Sequence, residues 1–283
     1  MTALNRPVGR RLLLSVGALS LLGGCTSAGY AASGTWKSAE APHPTPSPAS
    51  PPPSASPSPS RTPWQIPTPF HPTPGVCPVD PTIVQRPGGP QHYLPCKGTN
   101  IALTIDDGPH PEWTPRILSV LARFRVSATF CMIGRQAAVY PSLVKAVIAG
   151  GHRVANHSFT HPLNLPELPP EQIDEEINRT TDAITTASGG HRPTLFRAPG
   201  GNWSQDVLDA CATAGLRPLD WSVDPRDWSL PGVPHIVDTI LTKTRPGSII
   251  LDHDGGGNRQ QTVDALTIAL PRLLEAGYRF THP

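Results

Sequence analysis

Proline divides this chain before any other feature does. The sequence holds 37 prolines in 283 residues, and most of them fall before residue 100. Proline fixes φ and offers no backbone N–H, so a proline-dense stretch cannot build helices or central strands. Residues 41–75 are dominated by Pro, Ser and Thr, as in PHPTPSPASPPPSASPSPS. Such a composition buries too little apolar surface to fold and favours extended polyproline II. Fully stretched at about 3.1 Å per residue, the segment could reach on the order of 100 Å. A tether and a passive spacer are both consistent with it. The fold is confined to residues 100–283, which suits one domain rather than two.

The start of the chain has the character of an export leader. Arg6, Arg10 and Arg11 precede an apolar run over 12–22, too short to span a bilayer. Leu22-Gly23-Gly24-Cys25 follows and resembles the lipobox of bacterial lipoproteins, in which the cysteine is lipidated. We expect a lipoprotein-type signal over 1–24 and lipidation at Cys25; an ordinary cleaved leader is the alternative. Arg10-Arg11 also permits twin-arginine export. The expected destination is the outer face of the cell membrane, or the wall if the protein is released. Without 1–24, which hold three arginines and no acid, the charge balance falls from +2 to −1. No basic face points to nucleic acid. A monomer is expected.

Residues 25–75 then form anchor and disordered linker, and 76–99 a flanking loop. In an exported chain Cys77 and Cys96 are expected to close that loop with a disulfide. Cys131 and Cys211 lie in apolar runs and either pair or remain buried thiols.

From residue 100 strand-like and helix-like patterns alternate. Strands are expected at 101–105, 127–133, 153–156, 195–197, 217–222, 248–252 and 278–280. Helices are expected around 117–121 and over 141–149, 169–187, 205–214, 236–242 and 262–275. This order implies a parallel α/β sheet, either doubly wound or closed into a barrel. No glycine-rich dinucleotide fingerprint follows the first strand. Polar clusters follow strand after strand, and strand ends converge at one mouth in a β/α barrel. A barrel, closed or distorted, is therefore favoured over the open sheet.

Five of these clusters carry chemistry. Asp106 and Asp107 are adjacent carboxylates at a strand end, costly unless a cation offsets their repulsion. His157 and His161 are four apart and could face one cation if the segment turned helically. With a carboxylate they make a set that leaves positions open for water and substrate. His110, His152 and His191 lack such company and are read as surface or loop residues. Arg197 opens Arg197-Ala198-Pro199-Gly200-Gly201. Asp220-Trp221-Ser222-Val223-Asp224-Pro225-Arg226-Asp227-Trp228 follows, with Trp221 equally consistent with core and site, and Asp224 with a turn. Leu251-Asp252-His253-Asp254 is the fifth.

In this order and composition, residues 100–283 resemble the polysaccharide deacetylases with a NodB-homology domain, carbohydrate esterase family 4. The family's TFDDGP corresponds to Thr104-Ile105-Asp106-Asp107-Gly108-Pro109, its H-[ST]-x-x-H to His157–His161, and its L-x-H to Leu251–His253. The resemblance implies an α/β fold, a distorted (β/α)7–8 barrel of the NodB type, and a metal-dependent hydrolase acting on acetylated polysaccharide. It makes Asp106 the general base, and Asp107, His157 and His161 the ligands of a divalent ion, expected to be zinc, with cobalt or another ion as alternatives. Arg197 orients the base, Asp227 tunes His253, and His253 is the general acid. Gly200 supplies an oxyanion N–H, while Trp228 and Leu251 line the acetyl pocket. Glycine at 200 departs from the family's usual bulky residue, which leaves the sugar contact in doubt. The expected substrate is peptidoglycan GlcNAc or MurNAc; chitin oligosaccharides and acetylxylan are the alternatives. A non-catalytic wall-binding protein is the contrasting class, disfavoured by the intact set of Asp106, Asp107, His157, His161 and His253.

Overall fold

The computed structural model describes residues 64–72, 86, 88–95 and 97–283. The leader, Cys25, most of the linker, and Cys77 and Cys96 lie outside the described residues. Residues 64–72, at the end of the expected linker, carry no helix or strand. The Arg245 guanidinium stands 4.3 Å over the Phe70 ring, so this stretch contacts the domain.

The domain is a curled parallel sheet wrapped by helices. Strands β1 (Asn100–Asp106), β2 (Thr129–Met132), β3 (Arg153–Asn156), β4 (Leu195–Phe196) and β5 (Arg217–Pro218) run in order on one side. Strand β6 (Ile249–His253) pairs with the other edge of β1, and β7 (Arg279–Phe280) pairs with the start of β1. The expected strand over 217–222 keeps regular pairing only at 217–218. Beyond Pro218 the chain bends across the open side. There Ser222 N–H donates to Ile249 O at 3.0 Å and Leu251 N–H to Val223 O at 2.9 Å. A loop rather than a strand closes the barrel, which makes it the distorted form.

Alternation along β1 explains how the site is placed. Ile101, Leu103 and Ile105 face the helices and join the main core. Ala102 belongs to the interior cluster with Cys131, Ala155, Leu195, Leu219 and Ile249. Asp106 shares its parity, since strand side chains alternate with period two. Each buried aliphatic on the outer face contributes about 1.5–3 kcal/mol, ample to fix the register that turns Asp106 inward.

Helices α1 (Trp113–Phe124), α2 (Gly134–Val139), α3 (Pro141–Ala149), α4 (Pro170–Ser188), α5 (Gln205–Thr213), α6 (Val233–Lys243) and α7 (Gln260–Glu275) cover the sheet. In α4, Ile173, Ile177 and Ile184 are buried as the helical spacing requires. Helix α2 was absent from the sequence reading; with six residues it is too short for a periodic signal. Cys131 and Cys211 are free thiols buried in separate clusters, so they do not pair.

Candidate functional site

Asp106 ends β1 and is buried. Its Oδ1 accepts from Arg197 Nη1 at 2.7 Å. Arg197, immediately after β4, has no solvent exposure. It also donates to Thr104 Oγ1 at 2.8 Å and to the Asp220 carbonyl at 2.9 Å. Burial alone would discourage its charge, but the Asp106 carboxylate reverses that and raises its pKa. The pair therefore holds two buried charges in one fixed geometry.

Asp107 has φ 75°, a left-handed conformation uncommon for aspartate. That turn swings its carboxylate toward the histidines. Oδ1 lies 3.5 Å from His157 Nε2 and 3.3 Å from His161 Nε2. Burial opposes ionisation of Asp107, but the contact with His157 and the charges of the three imidazoles hold it well below the usual carboxylate range.

His157 follows β3 and is buried. Its Nδ1 donates to the Arg197 carbonyl at 2.8 Å, which fixes the ring and leaves Nε2 toward Asp107. The segment 157–161 does not turn helically, as the sequence reading required. Ser158 and His161 instead adopt φ 59° and 63°, making a non-helical turn. A carboxylate from α4 supports this turn: Glu176 Oε2 accepts the N–H groups of Phe159 and Thr160, each at 2.7 Å. Glu176 was not identified from sequence, because a polar helix face gives no sign of what it meets.

Asp107, His157 and His161 place three ligand atoms within 4.8 Å of one another. Asp107 Oδ1 is buried and makes no hydrogen bond of its own. One carboxylate and two imidazoles around an unsatisfied oxygen fit a divalent cation.

On the opposite wall, His253 ends β6. Its Nδ1 lies 2.7 Å from Asp227 Oδ1, and its backbone N–H donates to Asp227 Oδ2 at 3.0 Å. Thr262 Oγ1 donates to the same Oδ2 at 2.7 Å. Burial pulls the His253 pKa down, but the bond to Asp227 and the nearby carboxylates raise it to about 9.

These groups share a cleft of about 440 Å³ lined by Asp106, Asp107, His157, His161, Gly200, Trp228, Leu251 and His253. Arg197 and Asp227 stand behind the lining, against Asp106 and His253. Gly200 has φ 64°, where a side chain would be strained, and Leu163 lies against it. Trp228 is 46 % exposed at the rim, with the Arg226 guanidinium 5.0 Å over its ring. Trp221 serves both roles left open by the sequence: it packs on the interior cluster and lines the cleft. Asp224 is the expected turn residue, its Oδ1 accepting from Arg226 N at 2.7 Å. His152 is a correction: it is buried against Phe130, and its Nδ1 accepts from Ala128 N at 3.2 Å. Leu163, Asn202, Gly256 and Arg259 also line the cleft and were missed. Their loops carry no periodic pattern that would have marked them.

The family described as polysaccharide deacetylase matches residues 95–219. A chitooligosaccharide deacetylase from Bradyrhizobium sp. is 43 % identical over 205 residues, covering 68 % of this chain and 93 % of that protein. A peptidoglycan-N-acetylglucosamine deacetylase from Bacillus cereus is 40 % identical, covering 64 % of this chain and 84 % of that protein. Among solved structures, a family 4 carbohydrate esterase from Streptomyces lividans, in complex with acetate, superposes with a TM-score of 0.60 at 36 % identity. That match covers 64 % of this chain and 90 % of the esterase.

Proposed function

The chain belongs to the polysaccharide deacetylase family, and from that membership we propose that it removes N-acetyl groups from peptidoglycan amino sugars, GlcNAc or MurNAc, with a divalent ion held by Asp107, His157 and His161. The observation that carries this reading is the meeting of three sets in one cleft: the ligand triad, the Asp106–Arg197 pair and the His253–Asp227 pair. Zinc is the expected ion, because two imidazoles and a carboxylate suit it.

The resemblance to the family divides the work among these residues. A cation held by Asp107, His157 and His161 would supply Lewis-acid polarisation of the acetamide carbonyl. Asp106, held by Arg197, takes a proton from the attacking water. The Gly200 backbone N–H is assigned to the oxygen on which negative charge develops. Asp227 holds the His253 ring, and His253 passes its proton to the departing nitrogen. Water and acetamide become acetate and free amine. Leu251 and Trp228 line the space for the acetyl methyl.

Peptidoglycan is favoured by the leader, Cys25 and the proline-rich tether, which would hold the enzyme beside its own wall at the outer face of the membrane. Chitin oligosaccharides are the second reading, motivated by the chitooligosaccharide deacetylases among the relatives. Incubation of the purified protein with muropeptides and with chitin oligomers, read by mass analysis, separates the two. Loss of acetyl groups from the chitin oligomers alone would refute the wall substrate. Cys25→Ser should release the protein from membranes in a native host, and unchanged detergent partitioning would refute lipidation.

A further inference from the structure

Arg259 stands at the N-terminal end of α7 and is only 3 % exposed, yet it lines the cleft. Its Nε donates to the Gly255 carbonyl at 2.7 Å. Its Nη1 reaches the carbonyls of Trp228 at 3.4 Å and Asn258 at 3.3 Å. All three acceptors are neutral. The arginine ion pairs of the described residues involve Arg116, Arg179, Arg197 and Arg272, and none includes Arg259. Its Nη2 has no hydrogen-bond partner among the described residues.

Gly256 packs closely against both this free edge and the triad. A Cβ built on Gly256 would lie 3.4 Å from Arg259 Nη2 and 2.8 Å from Asp107 Oδ2. With φ +71°, the position also disfavours any side chain. Even a methyl group would crowd the space between them, so the free edge of the guanidinium stands near the triad carboxylate without pairing with it.

A buried guanidinium that makes no ion pair is costly. The first turn of α7 adds its own partial positive charge on the same side. The planar fork of arginine matches a carboxylate better than a hydroxyl. We propose that Arg259 binds a carboxylate beside the scissile acetamide, so that the cleft prefers a glycan bearing free carboxylates, such as the lactyl group of muramic acid stripped of its peptide, over a neutral amino-sugar polymer. The acetate product offers the same chemistry. Because the cleft is taken as the substrate site, the proposal rests on the function above, and its test reads binding rather than turnover.

The full chain, in the presence of zinc, is titrated calorimetrically with a peptide-free GlcNAc–MurNAc tetrasaccharide and with the methyl ester of the same glycan. The free acid should bind roughly ten-fold more tightly, as a charge-assisted pair requires. Arg259→Met should abolish most of that difference, and Arg259→Lys should restore part of it. Equal affinity for acid and ester in the unaltered chain would overturn the proposal, as would an undiminished difference in Arg259→Met. The comparison in the unaltered chain decides the matter even if Arg259→Met does not fold. Sodium acetate provides the second arm. Competition with the acid glycan that is lost in Arg259→Met seats the product at the same residue, and absence of competition confines the seat to the polymer's carboxylate.

Discussion

Asp227 grips His253 twice, its Oδ1 2.7 Å from the ring Nδ1 and its Oδ2 accepting the backbone N–H of the same residue at 3.0 Å. One buried carboxylate thus fixes both the imidazole and the strand end that carries it, and leaves Nε2 toward the cleft. His253 is raised to about 9, so as a general acid it stays protonated through neutral pH. Activity should fall as pH rises through about 9. In Asp227→Asn that alkaline limb should move down toward the ordinary histidine range, which a pH profile of kcat measures. The sign for stability is the same: the folded-state value lies above 6.5, so the contribution is complete below about 6.5 and lost as pH rises through 9. An alkaline limb that does not move in Asp227→Asn would remove His253 from the acid role.

Glu176 reaches from α4 to the turn that carries His161. It accepts two backbone N–H groups and the Thr160 hydroxyl, each at 2.7 Å. Glu176→Ala should free that turn and weaken zinc binding by roughly 10–100-fold, the range for groups that orient metal ligands. Equilibrium dialysis measures it. Zinc affinity equal to the parent's would show that the turn holds its shape without the carboxylate.

Most of what positions the site was legible in the sequence, and the exceptions share a cause. The polar residues at strand ends foretold the convergence on one mouth, whereas the inward turn of Asp106 shows only in the alternation along β1. The boundaries of β3 and α3 fell where periodicity, Pro141 and Gly150 put them. The turn at 157–161 was misjudged because its shape comes from Glu176, a contact between elements. Arg259 and the closure by 219–223 were not legible for the same reason. His152 was read as a surface or loop residue because it lacks ligand company in the sequence, yet it is buried beside Phe130.

Arg197 is fully buried and binds Asp106, Thr104 and the Asp220 carbonyl. Arg197→Met removes one member of a buried pair and strands the other. The expected destabilisation is about 3–5 kcal/mol, visible as a lowered urea midpoint. Asp106→Asn/Arg197→Met should recover part of that loss, since it no longer leaves a lone carboxylate. A double variant no more stable than Arg197→Met would mean that the guanidinium acts through its other bonds.

The two neighbouring aspartates provide the most direct test. Asp107→Ala removes a metal ligand, so zinc content and acetate release should fall together. Asp106→Asn keeps the shape and removes only the proton acceptor. It should hold about one zinc per chain, the stoichiometry of a single three-ligand site. With zinc saturating, acetate release from an acetylated glycan should drop by on the order of 10²-fold or more, in kcat rather than KM. Near-parental turnover in Asp106→Asn, or a loss that tracks lost zinc, would contradict Asp106 as the base.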